Sequence, residues 1–158
     1  MAVWQFGGYL IANAVAETRR IVPGMTVSAA VRDLISEWDN STLPSEELCQ
    51  LRMFLPAGRS WSKDLEVLGD LGSTCVTFYK ENHIVGSIYA RFDLRTLSIE
   101  VVGAALKFAS AMGCLLLTDY NKGISSSISD LKAEIIDSSA YRFVRASKGF
   151  MADLGRMS

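Results

Sequence analysis

The chain has 158 residues, of which 49% are hydrophobic and 21% are charged. This composition is typical of one soluble globular domain that can bury a core, and it argues against a disordered chain. The 16 basic and 17 acidic side chains leave a formal charge of −1. No overall field therefore favours binding to nucleic acid or to an anionic membrane.

Cysteine and histidine usage limits metal chemistry. Cys49, Cys75 and Cys114 are widely spaced and form no C-x-x-C pair, and His83 is the single histidine. An odd number of cysteines in apolar surroundings favours buried free thiols in a reducing compartment over a disulfide framework or a zinc site. One histidine excludes a two-histidine metal site. We expect neither a metal nor a cofactor.

The first 16 residues form an apolar run that ends in Ala14-Val15-Ala16, which is similar to a signal-peptidase site. No lysine or arginine precedes this run, and glycines interrupt it. The run is therefore expected to belong to the mature, cytoplasmic protein. Nowhere does the sequence contain the roughly 18 consecutive apolar residues that a membrane-spanning helix needs.

In chain order, the first predicted element is a strand over Trp4–Ala12, with a bulge at its two consecutive glycines. Pro23-Gly24 then indicates a turn. Apolar residues repeat at helical spacing from Val27 to Trp38, and Thr26 or Ser28 is available as the N-cap. The N-terminal third therefore contains one strand followed by one amphipathic helix.

A polar turn is predicted over Asp39–Thr42, followed by a short helix that Pro44 begins. The apolar run Leu51–Leu55 is interpreted as a strand that stops at Pro56. Arg59–Ser73 is then a long connection. Long loops in compact domains often carry binding contacts, so this connection is a candidate functional segment.

A hairpin follows, in which Cys75–Lys80 is one strand, Glu81–His83 is the turn and a long strand begins at Ile84. Successive strand side chains point to opposite faces, and the long strand alternates clearly. Its even-numbered residues, Ile84 to Leu94, form an apolar face for a core. Its other face carries Val85, Ser87, Tyr89, Arg91, Asp93 and Arg95.

A nearly all-apolar helix is predicted over Thr96–Met112, and the apolar run Cys114–Leu117 should be an interior strand. A strand that returns after a crossover helix runs parallel to the first strand, so we expect a mixed sheet. Ser127 and Asp130 form a capping box that begins another helix. Ser147 is a candidate cap for a last short helix.

These elements predict one domain over residues 1–158 of the α/β (α+β) class. Its sheet should be mixed but mainly antiparallel, with four or five strands. Helices should pack on one face of that sheet, and the other face should remain partly open to water or to a partner. Any contact surface is therefore expected on that second face.

Motifs argue against most enzyme classes. The sequence contains no G-x-G-x-x-G, P-loop, G-x-S-x-G or H-E-x-x-H motif. His83 falls in a predicted turn, which is typical of an exposed residue rather than of a catalytic base. Asp64 and Asp93 could serve as a paired acid and base, but no pattern in the sequence places them together. We therefore expect a protein without catalysis.

The best candidate for function is a contact surface on the second face of the sheet. Tyrosine and arginine are enriched among interface anchors because they combine a large contact area with directed hydrogen bonds. Two alternatives stay open, namely a solvated face with local ion pairs and, for the loop tryptophan, a place beside the core. The candidate partner-binding residues are Trp61, Asp64, Tyr79, Tyr89, Arg91, Asp93 and Arg95.

Three segments together resemble small bacterial immunity proteins, which are encoded beside secreted antibacterial toxins. The resemblance covers about residues 50 to 154 and leaves the N-terminal third unmatched. It rests on Phe54-Leu55-Pro56 with Ser60-Trp61, Asp64 and Gly69, on Arg91-Phe92-Asp93-Leu94-Arg95, and on Ser139-Ala140-Tyr141-Arg142-Phe143-Val144.

This resemblance implies a cytoplasmic protein of interbacterial competition that neutralises its cognate toxin by tight binding, blocking the toxin's active site or substrate entry. Contact residues in such families diverge too quickly to be carried over. Immunity proteins against nucleases are often strongly acidic, whereas this chain is nearly neutral, so a nuclease is not favoured as the toxin. The alternatives are a small-ligand-binding or regulatory module and, third, a small enzyme that uses Asp93 with Arg91. A homodimer is also possible.

Overall fold

A computed structural model of the chain describes residues 2–35 and 43–146. Its centre is one six-stranded sheet with the spatial order β2-β3-β4-β1-β5-β6, in which all neighbouring strands are antiparallel. The strands are β1 (Gln5–Ala12), β2 (Leu65–Gly69), β3 (Cys75–Glu81), β4 (Ile84–Asp93), β5 (Cys114–Thr118) and β6 (Gly123–Ser125).

The predicted single α+β domain is confirmed, with six strands instead of four or five. β4 and β5 run in the same direction, as their connecting helix predicts. However, β1 lies between them and is antiparallel to both. This first strand of the chain therefore occupies the middle of the sheet, where it turns an expected parallel pair into two antiparallel ones.

Six helical segments of the described residues surround the sheet. Ser28 caps α2 by accepting a hydrogen bond from the Val31 amide, at 3.4 Å. Ser127 likewise accepts one from Asp130, at 3.2 Å, which confirms the predicted cap of α5. The helices are α1 (Asn13–Thr18), α2 (Ala29–Ile35), α3 (Ser45–Phe54), α4 (Ile99–Ala111), α5 (Ile128–Asp137) and α6 (139–146). The predicted continuation to Trp38, the turn at Asp39–Thr42 and the helix after Ser147 lie outside the described residues.

The sheet has two faces with different coverings. On its first face, α3, α4, α5 and α6 pack over one large apolar cluster, whose fully buried aromatic side chains are Phe6, Phe78, Phe92 and Phe108. On its second face, α1, α2 and the segment between them pack over a smaller cluster, which consists of Ile11, Ala16, Ile21, Val27, Leu115 and Leu117. Among residues 2–35 and 43–146, the segments that cover the second face in this way lie around β1 and β5.

A bulge in β4 changes the predicted alternation at its start. Tyr79 pairs with Ser87, but Lys80 pairs with Val85, so Gly86 is an extra residue in β4. On the N-terminal side of the bulge, the odd-numbered residues face the core and the even-numbered ones face outward. Ile84 is accordingly 49% exposed, and Val85 packs against the main core. The predicted orientation is therefore wrong for these two residues and right from Ile88 onward. The bulge predicted in β1 is also wrong, because β1 pairs regularly with both neighbours.

Two further sequence interpretations are corrected. Leu51–Leu55 is not a strand: it belongs to the end of α3, where Leu48, Leu51 and Leu55 are buried at helical spacing. The long connection predicted over Arg59–Ser73 contains β2, and β6 was not predicted at all. The predicted hairpin turn between β3 and β4 is confirmed. Both of its central residues have positive φ, 51° at Asn82 and 67° at His83.

All three cysteines are free, but only Cys75 and Cys114 are buried, whereas Cys49 is exposed. The expectation of three buried thiols is thus wrong for Cys49. Burial raises the pKa of the Cys114 thiol to about 12, so this thiol is uncharged at neutral pH.

Among the helices within residues 2–35 and 43–146, none is both long and apolar enough to cross a lipid bilayer.

Candidate partner-binding surface

On the second face of the sheet, the part formed by β2, β3 and β4 contains a wide, shallow depression of about 520 Å³. We call it the open depression. Side chains from these strands form its floor, and residues from β1, α2 and the loop after β5 form its border. It is lined by Tyr9, Arg32, Leu65, Thr77, Tyr79, Ser87, Tyr89, Arg91 and Asp119.

Tyr89 reaches from β4 across β1, where its hydroxyl donates a hydrogen bond to Asp119 Oδ2, at 2.7 Å. The ring passes over Gly7 on β1. A Cβ atom at Gly7 would lie 2.5 Å from the Tyr89 hydroxyl oxygen, so this crossing needs a glycine. Burial and the neighbouring Asp119 carboxylate raise the pKa of Tyr89 well above its ordinary value. The phenol therefore stays protonated and acts as a donor to Asp119.

The same aspartate connects the depression to α2. Arg32 Nη2 lies 3.3 Å from Asp119 Oδ1, and the Arg32 guanidinium lies over the Tyr9 ring, 5.5 Å from its centroid. The Tyr9 and Tyr89 rings meet edge to face, with their centroids 5.0 Å apart. Four side chains from four parts of the chain thus form one connected network of stacked and hydrogen-bonded groups.

Arg91 lies beside this network on β4. Its Nη1 donates to the Leu71 carbonyl oxygen, at 2.7 Å, and its guanidinium lies 5.7 Å from the centroid of the Tyr89 ring. The Arg91 Nε atom is buried without a hydrogen-bond partner within the described residues. No carboxylate in the described part of the chain forms an ion pair with Arg91.

Asp93 and Arg95 form a separate clamp at the end of β4. Arg95 donates from Nε to Asp93 Oδ1, at 3.0 Å, and from Nη2 to Oδ2, at 2.6 Å. These bonds lower the pKa of the Asp93 carboxyl, which is only 1% exposed. The Arg95 guanidinium also covers the Trp4 ring, 4.1 Å from its centroid. This pair fixes the strand end and does not line the open depression.

The predicted site residues therefore fall into three places. Tyr79, Tyr89 and Arg91 share the open depression, with Tyr79 46% exposed at its floor. Asp93 and Arg95 form the clamp. Trp61 and Asp64 precede β2, where Trp61 is 79% exposed, so the alternative that it packs beside the core is wrong. The Asp64 carbonyl accepts a hydrogen bond from the Lys80 amide, which fixes the start of β2.

Sequence reasoning missed the other half of the depression. Tyr9, Arg32 and Asp119 lie far apart in the sequence, and only the sheet order brings them to Tyr89. The sequence held one signal for this arrangement, namely the glycine pair just before Tyr9, which was interpreted as a bulge. Gly7 instead makes room for the Tyr89 ring.

Searches for known relatives add no further assignment. No protein-family profile, no curated protein and no solved structure matches this chain. Within residues 2–35 and 43–146, no group of three or more histidine, cysteine, aspartate and glutamate side chains is placed to hold a metal ion. The functional argument therefore depends on the open depression itself.

Proposed function

We propose that this chain is an immunity protein that binds a cognate antibacterial protein toxin through the open depression and neutralises it stoichiometrically. The observation that carries this proposal is the fixed group of tyrosine and arginine side chains on a part of the sheet that the described residues leave uncovered. Tyr79 offers exposed aromatic area, while Tyr89 and Arg91 are held by contacts within the chain. Residues of these two types dominate the energetics of protein interfaces.

Preorganisation strengthens this case. Ordering a long side chain at an interface costs about 0.5–1.5 kcal/mol. In the open depression, the hydrogen bond to Asp119 and the edge-to-face contact with Tyr9 already hold Tyr89. Arg91 is likewise held by Leu71. Such side chains can contact a partner at a low entropic cost, which favours the tight binding that an inhibitor needs.

The shape of the depression favours a protein over a small molecule. Small-ligand sites usually enclose most of the ligand surface in a mainly apolar cleft. The open depression is instead wide and shallow, and polar or charged groups form much of its lining. A convex part of another protein fits such a surface better. The proposed inhibitor acts in the bacterial cytoplasm, where the thiols of Cys75 and Cys114 stay reduced.

Co-expression tests this function directly. The protein encoded beside this gene would be induced in a host strain alone and together with graded amounts of this chain. We expect growth arrest when it is induced alone, protection when the two are present in equal amounts, and co-purification as a complex of fixed stoichiometry. A neighbouring protein that is harmless, or whose toxicity this chain does not relieve, would contradict the proposal.

A further inference from the structure

We infer that the toxin places an acidic side chain, an aspartate or glutamate, against Arg91 in the open depression. This inference rests on the proposed function and adds the chemistry by which the partner is recognised. It begins from the charge of Arg91, which the described part of the chain leaves without an ion-pair partner.

Three other arginines close to the sheet are each paired with a carboxylate. Arg95 holds Asp93 with two hydrogen bonds, Arg52 lies 2.9 Å from Glu66, and Arg32 lies 3.3 Å from Asp119. Arg91 instead donates to a backbone carbonyl. A guanidinium carries five N–H donors, more than its contacts with Leu71 and Tyr89 use. Arg91 is therefore both short of a counter-charge and able to donate further hydrogen bonds.

The surroundings of Arg91 leave a positive charge in the depression. Its lining contains two arginines and one aspartate, although the whole chain carries a formal charge of −1. Asp119 is already engaged by Arg32 and by the Tyr89 hydroxyl. The remaining charge is that of Arg91, and Arg91 is only partly buried. A carboxylate is the protein group that complements a guanidinium in both charge and geometry.

The chemistry of the depression also selects a protein carboxylate over a nucleic-acid phosphate. Nucleic-acid backbones are bound by several cations that follow successive phosphates. Here Arg91, which forms no ion pair with a carboxylate of the described residues, lies among Tyr79, Tyr89 and Thr77, in a chain with a slight negative charge. One acidic side chain surrounded by less polar contacts fits this pattern.

Affinity measurements with the purified neighbouring protein test the inference. We expect Arg91→Gln to weaken the complex by at least about 30-fold, because an interface charge loses its partner. Arg91→Lys keeps the charge but loses the planar guanidinium, so a smaller loss is expected. Arg145→Gln is the matched control. It removes the same charge from an exposed position on α6, across the sheet, and should change the affinity by less than about threefold.

A double-mutant cycle then identifies the acid on the partner. Each aspartate and glutamate of the neighbouring protein would be changed to its amide and titrated against wild type and Arg91→Gln. One such change should match the loss caused by Arg91→Gln and add little to it, because both remove the same interaction. Thermal unfolding of each Arg91 variant shows whether the fold is kept.

The outcomes separate the two proposals. If the wild-type complex forms and a folded Arg91→Gln binds within about threefold of it, the acidic contact is wrong and the proposed function stands. If the neighbouring protein does not bind the wild type, both fail. If Arg91 instead governs binding of inorganic phosphate or of a short RNA, the inferred occupant of the depression is wrong.

Discussion

The two halves of the second sheet face differ in how the described residues cover them. Around β1 and β5, that face is covered by α1 and α2 over a buried apolar cluster. Around β2, β3 and β4, the described residues leave the same face open, and it carries tyrosine, threonine, serine and arginine. The backbone pairing is continuous across both halves. The two halves therefore differ in their side chains and not in their backbone pairing.

This difference follows from residue type. Leu115 and Leu117 alternate with Leu116, so β5 is apolar on both of its faces and needs a cover on each. In β3 and β4, apolar side chains on the first face alternate with mainly polar or aromatic side chains on the second face. A cover on the first face alone is therefore enough to bury their apolar residues. The covered half should therefore support stability, and the open half should support recognition.

The largest expected effect is on stability in the covered half. Leu117 is fully buried, so Leu117→Ala should lower the free energy of unfolding by about 2–5 kcal/mol through lost burial and a cavity. Tyr79→Ala in the open half should cost less than about 1 kcal/mol, because its ring is already half exposed. Urea denaturation of both variants measures the difference. Similar costs would show that the two halves do not divide stability from recognition.

Gly7→Ala should have the next largest effect. The added methyl would overlap the Tyr89 hydroxyl and lie 2.8 Å from the Ala90 carbonyl oxygen, so we expect a loss of about 1–3 kcal/mol in unfolding free energy. Gly103→Ala in α4 is the control. Its added methyl meets nothing within 4 Å, and alanine favours the helix, so a gain of up to about 1 kcal/mol is expected. Thermal unfolding should therefore show a lower melting temperature for Gly7→Ala and an equal or higher one for Gly103→Ala.

Tyr89→Phe removes the hydroxyl that donates to Asp119 and keeps the ring. We expect it to cost about 1–2 kcal/mol, since Asp119 loses the Tyr89 hydroxyl but keeps Arg32. Tyr141→Phe, on the helical side of the sheet, is the matched control, and its change should stay within about 0.5 kcal/mol. A Tyr89→Phe protein as stable as wild type in chemical denaturation would mean that the Asp119 contact does not hold the depression together.

The smallest expected effect is a difference in stability between the two halves, and it appears only at acidic pH. Arg95 lowers the pKa of Asp93, and Lys80 and Arg52 lower that of Glu66, so each carboxylate stabilises the folded state above its ordinary pKa of about 4. That stabilisation is lost as pH falls through the lowered values. Hydrogen exchange between pH 5 and pH 2 should show that β2 and β4 lose protection before β5. Earlier loss in β5 would contradict this.

Local patterns predicted much of the fold. The Ser127 cap, the hairpin turn and the alternation after Ile88 all depend on residues close in sequence, and the structure confirms them. The errors have local causes too. The run at Leu51–Leu55 is compatible with a strand or with a helix end, and the alternation was continued through Gly86 although a glycine inside a strand is a bulge signal.

The candidate surface was only half predictable. Tyr79, Tyr89 and Arg91 lie on adjacent strands of one hairpin, so alternation alone placed them together. Tyr9, Arg32 and Asp119 join them only because β1 enters the middle of the sheet and brings α2 and the loop after β5 beside it. The pairing order of distant strands is not encoded in any one stretch of sequence.

The most direct test of the central claim is the affinity of the neighbouring protein for Tyr79→Ala, measured beside Ile136→Ala. Both side chains are half exposed, but Tyr79 lies in the open depression and Ile136 lies on α5, across the sheet. We predict that Tyr79→Ala weakens the complex by at least about 2 kcal/mol, or roughly 30-fold, and that Ile136→Ala leaves it unchanged. Unchanged affinity for Tyr79→Ala, with a loss for Ile136→Ala, would place the interface on the helices and contradict the account.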